Sequence, residues 1–162
     1  MDMEKRKKIC CFTGHRKIDG ESMQMLSILL DKALESLISN GVTVFRTGGA
    51  MGFDTLAALK VIELRTKDQN IRLELFLPCR EQANKWDKLS REYYEYILSK
   101  ADSVTYVREN YQRGCMLERN RRMVDGSDFC IGYCTLEKGG SAYTLNYAKK
   151  HNVRVINLAT MM

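Results

Sequence analysis

The sequence predicts an α/β fold: one Rossmann-like three-layer domain built on a mainly parallel sheet. Short apolar runs of strand character alternate with longer stretches of helical period along the whole chain. Glycine-bearing turns recur at the strand-to-helix junctions. The chain has 162 residues, with no internal repeat and no low-complexity linker, which suits a single compact domain over 1–162. Regular alternation of this kind places parallel strands between two helical layers, joined by right-handed crossovers.

The elements follow in order. Residues 8–12 read as a strand, and about 21–39 as a helix carrying Leu26, Leu29, Leu30, Ala33, Leu34, Leu37 and Ile38 on one face. Asn40-Gly41 ends that helix as a left-handed C-terminal cap would. Residues 42–46 form a second strand. A second helix begins at Gly52, with Phe53, Leu56, Ala57, Val61 and Leu64 at helical spacing. Residues 71–77 alternate Ile71, Leu73, Leu75 and Leu77 as a third strand, which stops at Pro78, the one proline. A polar stretch over 79–88 leads to a helix over about 89–100, where Leu89, Tyr93, Tyr96 and Ile97 are the expected core stripe. A strand over 103–107, a helix over about 114–125, a strand over 128–133, a helix over 141–151 and a strand over 153–157 complete the alternation.

Composition narrows the class. An apolar share of 44% beside a charged share of 28% is ordinary for a globular domain that needs no metal or disulfide staple. No apolar run approaches the roughly 18 residues of a membrane span, and no secretory segment follows the first charges, so the expected location is the cytoplasm with no membrane partner. The six cysteines, Cys10, Cys11, Cys79, Cys115, Cys130 and Cys134, form no CxxC pair and read as buried free thiols. His15 and His151 lack ligand spacing to any of them, so no metal site is expected. The formal net charge is +6. Much of the excess lies in Lys5-Arg6-Lys7-Lys8, read as part of a flexible basic lead-in over residues 1–7. The balance admits nucleic acid as a partner without requiring it.

Three glycine turns carry the chemistry. Thr13-Gly14-His15-Arg16 follows the first strand and Gly48-Gly49-Ala50-Met51-Gly52-Phe53-Asp54 follows the second. Lys138-Gly139-Gly140-Ser141-Ala142-Tyr143-Thr144 joins the fifth strand to the last helix. In an open α/β sheet such turns meet at the carboxyl edge, where ligands bind. Glycine permits close backbone approach, and a helix N-terminus offers N–H groups and a positive dipole end to an anion. Thr13, Gly14, His15 and Arg16 therefore suit a phosphate, as do Gly48, Gly49, Gly52, Gly139, Gly140, Ser141 and Thr144. Ser141 is expected to cap its helix while bonding that phosphate. Asp54, acceptor-only when ionised, suits ribose hydroxyls. His15 reads first as a structural hydrogen-bonder and second as a catalyst. In Glu118-Arg119-Asn120-Arg121-Arg122-Met123, Arg119 and Arg122 share a helix face and Arg121 points elsewhere. Arg119 is the candidate to reach the pocket, with Arg122 beside it. Trp86 is the aromatic best placed to line the pocket or a subunit contact.

CCFTGHR at 10–16, RTGGAMGFD at 46–54, LPC with Trp86 after it, YQRGCMLERNRRMVDGSD at 111–128 and KGGSAYTLNYA at 138–148 together resemble the SLOG superfamily. That superfamily includes the DNA-processing protein DprA and the LOG cytokinin-activating enzymes. The closest resemblance is to its YpsA-like branch, and it spans nearly the whole chain. It implies a Rossmann-like fold binding nucleotide-derived ligands, with homodimers among its members. LOG phosphoribohydrolases carry an arginine at the position of Arg119, which makes Arg119 the candidate catalytic residue, followed by PGGxGTxxE. Here Lys138 replaces the proline, and the glutamate falls at or near Asn146. Glu118, Asp54 and Asp128 are the carboxylates available to replace it.

The expected function is binding of a nucleotide or nucleotide-derived ligand of the ADP-ribose or NAD type, as a sensor. No other cofactor is indicated. The alternatives are N-glycosidic cleavage of a nucleoside monophosphate and DprA-like single-stranded DNA binding. Expected partners are the small-molecule nucleotide and a second copy of the chain.

Overall fold

The computed structural model describes residues 6–162. Six parallel strands, β1 (Lys8–Gly14), β2 (Val42–Thr47), β3 (Arg72–Leu77), β4 (Ser103–Tyr106), β5 (Phe129–Tyr133) and β6 (Arg154–Asn157), form one sheet in the order β4-β3-β2-β1-β5-β6. Between them run α1 (Gly20–Ser39), α2 (Phe53–Lys67), α3 (Lys88–Lys100), α4 (Cys115–Val124) and α5 (Gly140–Lys150), and a 3₁₀ turn, Leu158–Met161, ends the chain. Chain direction across the sheet reverses at β1, which pairs with β2 on one side and β5 on the other. That reversal opens a crevice at the carboxyl ends of β1 and β5.

Strand alternation divides the interior into two cores. Cys10 and Phe12 face the core under α1, α2 and α3, while Cys11 faces the core under α4 and α5. On β5, Ile131 joins the first and Cys130 the second. All six cysteines are buried free thiols. On α1, Leu26, Leu30, Leu34 and Leu37 are buried, and Leu29, Ala33 and Ile38 pack partly buried beside them. Gly41 takes the left-handed conformation (φ 95°) that the helix end requires.

Polar ties fix the strands in depth. Asp102 accepts from the Leu73 backbone N–H at 2.8 Å and from Arg65, holding β3, β4 and α2 together. Arg46 reaches from β2 to Glu74 on β3 and to the carbonyls of Met123 and Asp125 at the end of α4. At the opposite edge from the crevice, Asp128 accepts from Ile9 N–H and pairs with Arg6 at 2.6 Å. Of the basic lead-in expected over 1–7, residues 1–5 lie outside the described residues; Arg6 is held by this pair.

α3 departs from the expected stripe. Tyr94 and Ile97 are its buried residues, whereas Tyr93 and Tyr96 are 43% and 42% exposed. Tyrosines occupy both helical phases in Tyr93-Tyr94-Glu95-Tyr96, so spacing alone does not choose between them. The Trp86 ring packs edge-on against Tyr94 at 5.3 Å and draws that phase inward.

The α1 packing makes a paired prediction for urea unfolding. Leu34→Ala empties fully buried volume and is expected to cost about 2–5 kcal/mol. Ile28→Ala, on the 42% exposed side of the same helix, is expected to change stability by no more than about 0.5 kcal/mol. Equal losses in the two variants would contradict the burial pattern.

Candidate functional site

The caps separate the helices. α1 and α3 are capped by Asp19 and Asp87, which accept from Ser22 and Ser90 N–H. α2, α4 and α5 begin after Gly52, Gly114 and Gly139, with no side-chain cap. At α5 the first turn meets the crevice without a side chain of its own over the end, whereas at α2 the Phe53 N–H is taken by the His15 carbonyl. Ser141 is not the cap expected of it: Gly139 holds that position, and Ser141 sits inside the first turn, on the cavity wall.

A cavity of about 340 Å³ fills the crevice. Thr13, Gly14, His15, Arg16, Asp54, Arg119, Gly139, Gly140 and Ser141 line it, bringing together side chains from three turns and α4. Ala50, Met116, Leu117, Asn120, Leu136 and Lys138 complete the wall. Asn120 was absent from the expected set, although its place one residue after Arg119 and four after Met116 puts it on the same helix flank. Gly48, Gly49, Gly52 and Thr144 stand behind the wall. Thr144 is buried, accepting from Asn120 at 2.9 Å and donating to the Gly140 carbonyl at 2.8 Å. Arg122 lies outside the cavity with its side chain half exposed, 4.0 Å from Glu118.

The glycines divide into two kinds. A Cβ on Gly14 would stand 2.5 Å from the Phe53 ring, and one on Gly52 (φ 76°) would collide with the Arg16 carbonyl oxygen. One on Gly48 would stand 2.5 Å from the Arg119 guanidinium. These glycines let the first two turns and α4 close on one another, which differs from the direct approach to an anion expected of them. Gly139 and Gly140 are different: a Cβ on either would meet nothing within 4 Å. The open backbone of the site is theirs.

His15 joins the turns. Its carbonyl accepts from Phe53 N–H at 3.0 Å, its own N–H donates to the Tyr133 carbonyl at 3.2 Å, and its Nε2 accepts from Thr135 N–H at 2.9 Å. Those contacts give it the structural role.

Charge in the cavity is mostly positive. Arg119 is buried, and its guanidinium donates to the Gly48 carbonyl and to Asn120 Oδ1 (2.6 Å), with Gln82 Oε1 at 3.4 Å. Burial lowers its pKa from the usual arginine value, and the Asp54 carboxylate partly opposes that. Among the described residues the Arg16 guanidinium makes one hydrogen bond, to the Met116 sulfur at 2.9 Å, and no ion pair. Asp54 is 5% exposed; its Oδ2 accepts from Ala50 N–H at 3.3 Å and its Oδ1 has no hydrogen-bond partner. Burial raises its pKa to about 6, against the lowering pull of Arg119. Of the carboxylates considered from the sequence, only Asp54 lines the cavity. Glu118 is occupied by Arg108 at 2.9 Å, Asp128 lies at the far edge of the sheet, and Asn146 is exposed on α5. Among the described residues no cluster of three His, Cys, Asp or Glu side chains could hold a metal ion, and no helix is long and apolar enough to cross a membrane.

Comparison with known proteins agrees with this fold. UPF0398 proteins of Bacillus cereus strain B4264 and Bacillus thuringiensis strain Al Hakam are each 28% identical over 153 residues, covering 88% of this chain and 83% of theirs. Among solved structures, DNA processing protein A from Helicobacter pylori, described with a single-stranded DNA binding mode, superposes with a TM-score of 0.62 at 20% identity over 91% of this chain. DprA from Streptococcus pneumoniae gives 0.64 at 16% identity over 92%. This chain spans 63% and 49% of those two proteins, so the likeness is one of fold. The YpsA family model, described as the YspA SLOG family, matches residues 9–161, and the chain belongs to that family.

Proposed function

We propose that the protein binds a nucleotide-derived phosphorylated ligand of the ADP-ribose or NAD type at the carboxyl edge of the sheet, as a cytoplasmic sensor. The observation that carries this reading is Asp54: a buried carboxylate with one unpartnered oxygen, on the wall of a cavity that also holds Arg16 and the open N-terminus of α5. An unpaired buried acceptor costs stability, typically about 1–3 kcal/mol, unless something arrives to donate to it. A ribose hydroxyl is such a donor. The phosphate would rest on the N–H groups around Gly140 with Arg16 opposite. Six buried thiols fit a reducing compartment. A homodimer belongs to the same reading, supported by the exposed Met23, Met25, Ile28, Tyr93 and Tyr96 on α1 and α3.

A second reading, single-stranded DNA binding, is favoured by the fold shared with DprA and by the net charge of +6. It requires affinity that grows with strand length and falls steeply with salt. The enzyme reading, N-glycosidic cleavage, would have to use Asp54, the sole carboxylate on the cavity wall. Release of free base from a nucleoside monophosphate, abolished in Asp54→Asn, would establish it.

Three outcomes test the leading reading. In a thermal-shift and calorimetric screen, ADP-ribose, NAD or a nucleoside phosphate is expected to stabilise the protein, by about 2.7 kcal/mol at 100 times its dissociation constant. Arg16→Gln is expected to weaken that ligand about 10–100-fold through loss of a charge-assisted contact. No stabilisation by any member of a millimolar panel sinks the reading.

Gly140→Ala fills open space at the first position of α5. Its melting temperature is expected to stay near that of the parent while phosphate-ligand affinity falls at least tenfold. Unchanged affinity would move the anion away from this turn.

Asp54 also sets a pH signature. Its folded pKa of about 6 lies above the ordinary carboxylate value of 3.8, so the folded state binds the proton more tightly than the unfolded chain. Stability is therefore lost as pH rises from about 4 to about 6. Relative to Asp54→Asn, the unliganded parent is expected to lose on the order of 2–3 kcal/mol across that window in urea titrations. A constant difference from pH 4 to pH 7 would show that Asp54 is not held in this environment.

A further inference from the structure

We propose that the cleft between Trp86 and Tyr111 is the seat of the nucleobase, so that the ligand lies across the sheet edge with its phosphate at β5 and its base beyond β2. This rests on the ligand reading of the main cavity and adds its second compartment. A cavity of about 370 Å³ opens beside the first, lined by Cys79, Gln82, Lys85, Trp86, Tyr111 and Met116. Met116 lines both cavities. That shared side chain is a flexible thioether, which shifts at low cost, beside the contact of Arg119 with Gln82.

Strand order gives the direction. Along the carboxyl edge, the turns after β5, β1, β2 and β3 stand side by side, because those strands are neighbours in that sequence. The open glycines Gly139 and Gly140 follow β5, Arg16 follows β1, Asp54 follows β2, and Trp86 follows β3. Read in space, the row is phosphate site, cation, unpartnered ribose acceptor, aromatic ring. A nucleoside phosphate has the same order of groups: anion, sugar hydroxyls, flat base.

The aromatic end is built to hold a ring. Trp86 is half-buried and fixed edge-on by Tyr94 at 5.3 Å. Tyr111 is exposed, but its backbone N–H donates to Glu81 Oε1 at 2.8 Å, which ties the loop after β4 to the loop after β3. Arg80, on the same loop, is neutralised by Glu109 at 2.7 Å. Glu81 and Lys85 both line the cleft and Glu109 stands on the neighbouring loop, so its charge is mixed rather than the continuous basic track that a polynucleotide backbone needs. The occupant it fits is a terminal base.

The chain holds a single tryptophan, so its fluorescence reports on this cleft alone. AMP, GMP, CMP and UMP are titrated against the protein alongside ribose 5-phosphate, with emission excited selectively in tryptophan and affinity measured by calorimetry. At least one nucleotide is expected to bind about 5–100-fold more tightly than ribose 5-phosphate and to change Trp86 emission, while ribose 5-phosphate binds without changing it. Tyr111→Ala, an exposed truncation, should bring that nucleotide close to ribose 5-phosphate in affinity and leave ribose 5-phosphate unaffected. Nucleotides and ribose 5-phosphate binding equally, with silent emission, would overturn the base site and leave the phosphate reading standing. Failure of every probe to bind would overturn both. An oligothymidylate binding more tightly with each added nucleotide would assign the aromatic cleft to a polynucleotide and overturn the proposal.

Discussion

Everything at the carboxyl edge of the sheet depends on how the first two turns lock together. Phe53 donates its N–H to the His15 carbonyl, and its ring fills the space that a side chain on Gly14 would need. Gly52, in a backbone conformation open to glycine, lies against the Arg16 carbonyl. The same Phe53 ring lies against Phe12 and Tyr133, so the lock is anchored in the larger core. One packing arrangement thereby sets the direction of α2, the depth of Asp54 and the path of Arg16. Separate loops become a single rigid frame, which a preorganised site requires.

Arg119 extends that frame from the other layer. Its guanidinium spans from α4 to the Gly48 carbonyl, filling hydrogen bonds inside the protein. It acts as a strut and as a source of fixed positive field for Asp54, while Arg16 and Lys138 face the cavity with no ion pair among the described residues. A buried arginine beside a partly satisfied carboxylate is expensive to keep in an unliganded protein, and arrangements of that kind concentrate at binding and catalytic sites.

Much of the architecture was legible in the sequence, since strand and helix periods are local properties; every strand lies within two residues of its reading, as does every helix given both ends, while the end of α2 and the closing 3₁₀ turn were not read. The three turns were recognisable because glycine between a strand and a helix has few other uses. What escaped was the reason for each glycine. Gly14, Gly48 and Gly52 answer to Phe53, Arg119 and Arg16, contacts between segments distant along the chain, and no local pattern carries them. The same limit explains α3, where Tyr93 and Tyr94 both fit a helical stripe and a ring from outside the helix decides between them. It also explains Ser141, whose residue type suits a cap while the backbone begins the helix one residue earlier. Asn120 was legible as part of the buried side of its helix, but an amide between arginines does not announce a place on the cavity wall.

The two kinds of glycine have different evolutionary latitude. Gly14 and Gly52 are walled in by ring and backbone atoms, so the architecture forbids their replacement irrespective of what the protein binds. Gly140 is bounded only by solvent and by whatever the cavity holds. Nothing in the packing of the fold itself restricts a side chain there. Descendants of this fold are therefore free to reshape the cavity by substituting at the α5 turn, while the interlocked pair beside it stays fixed.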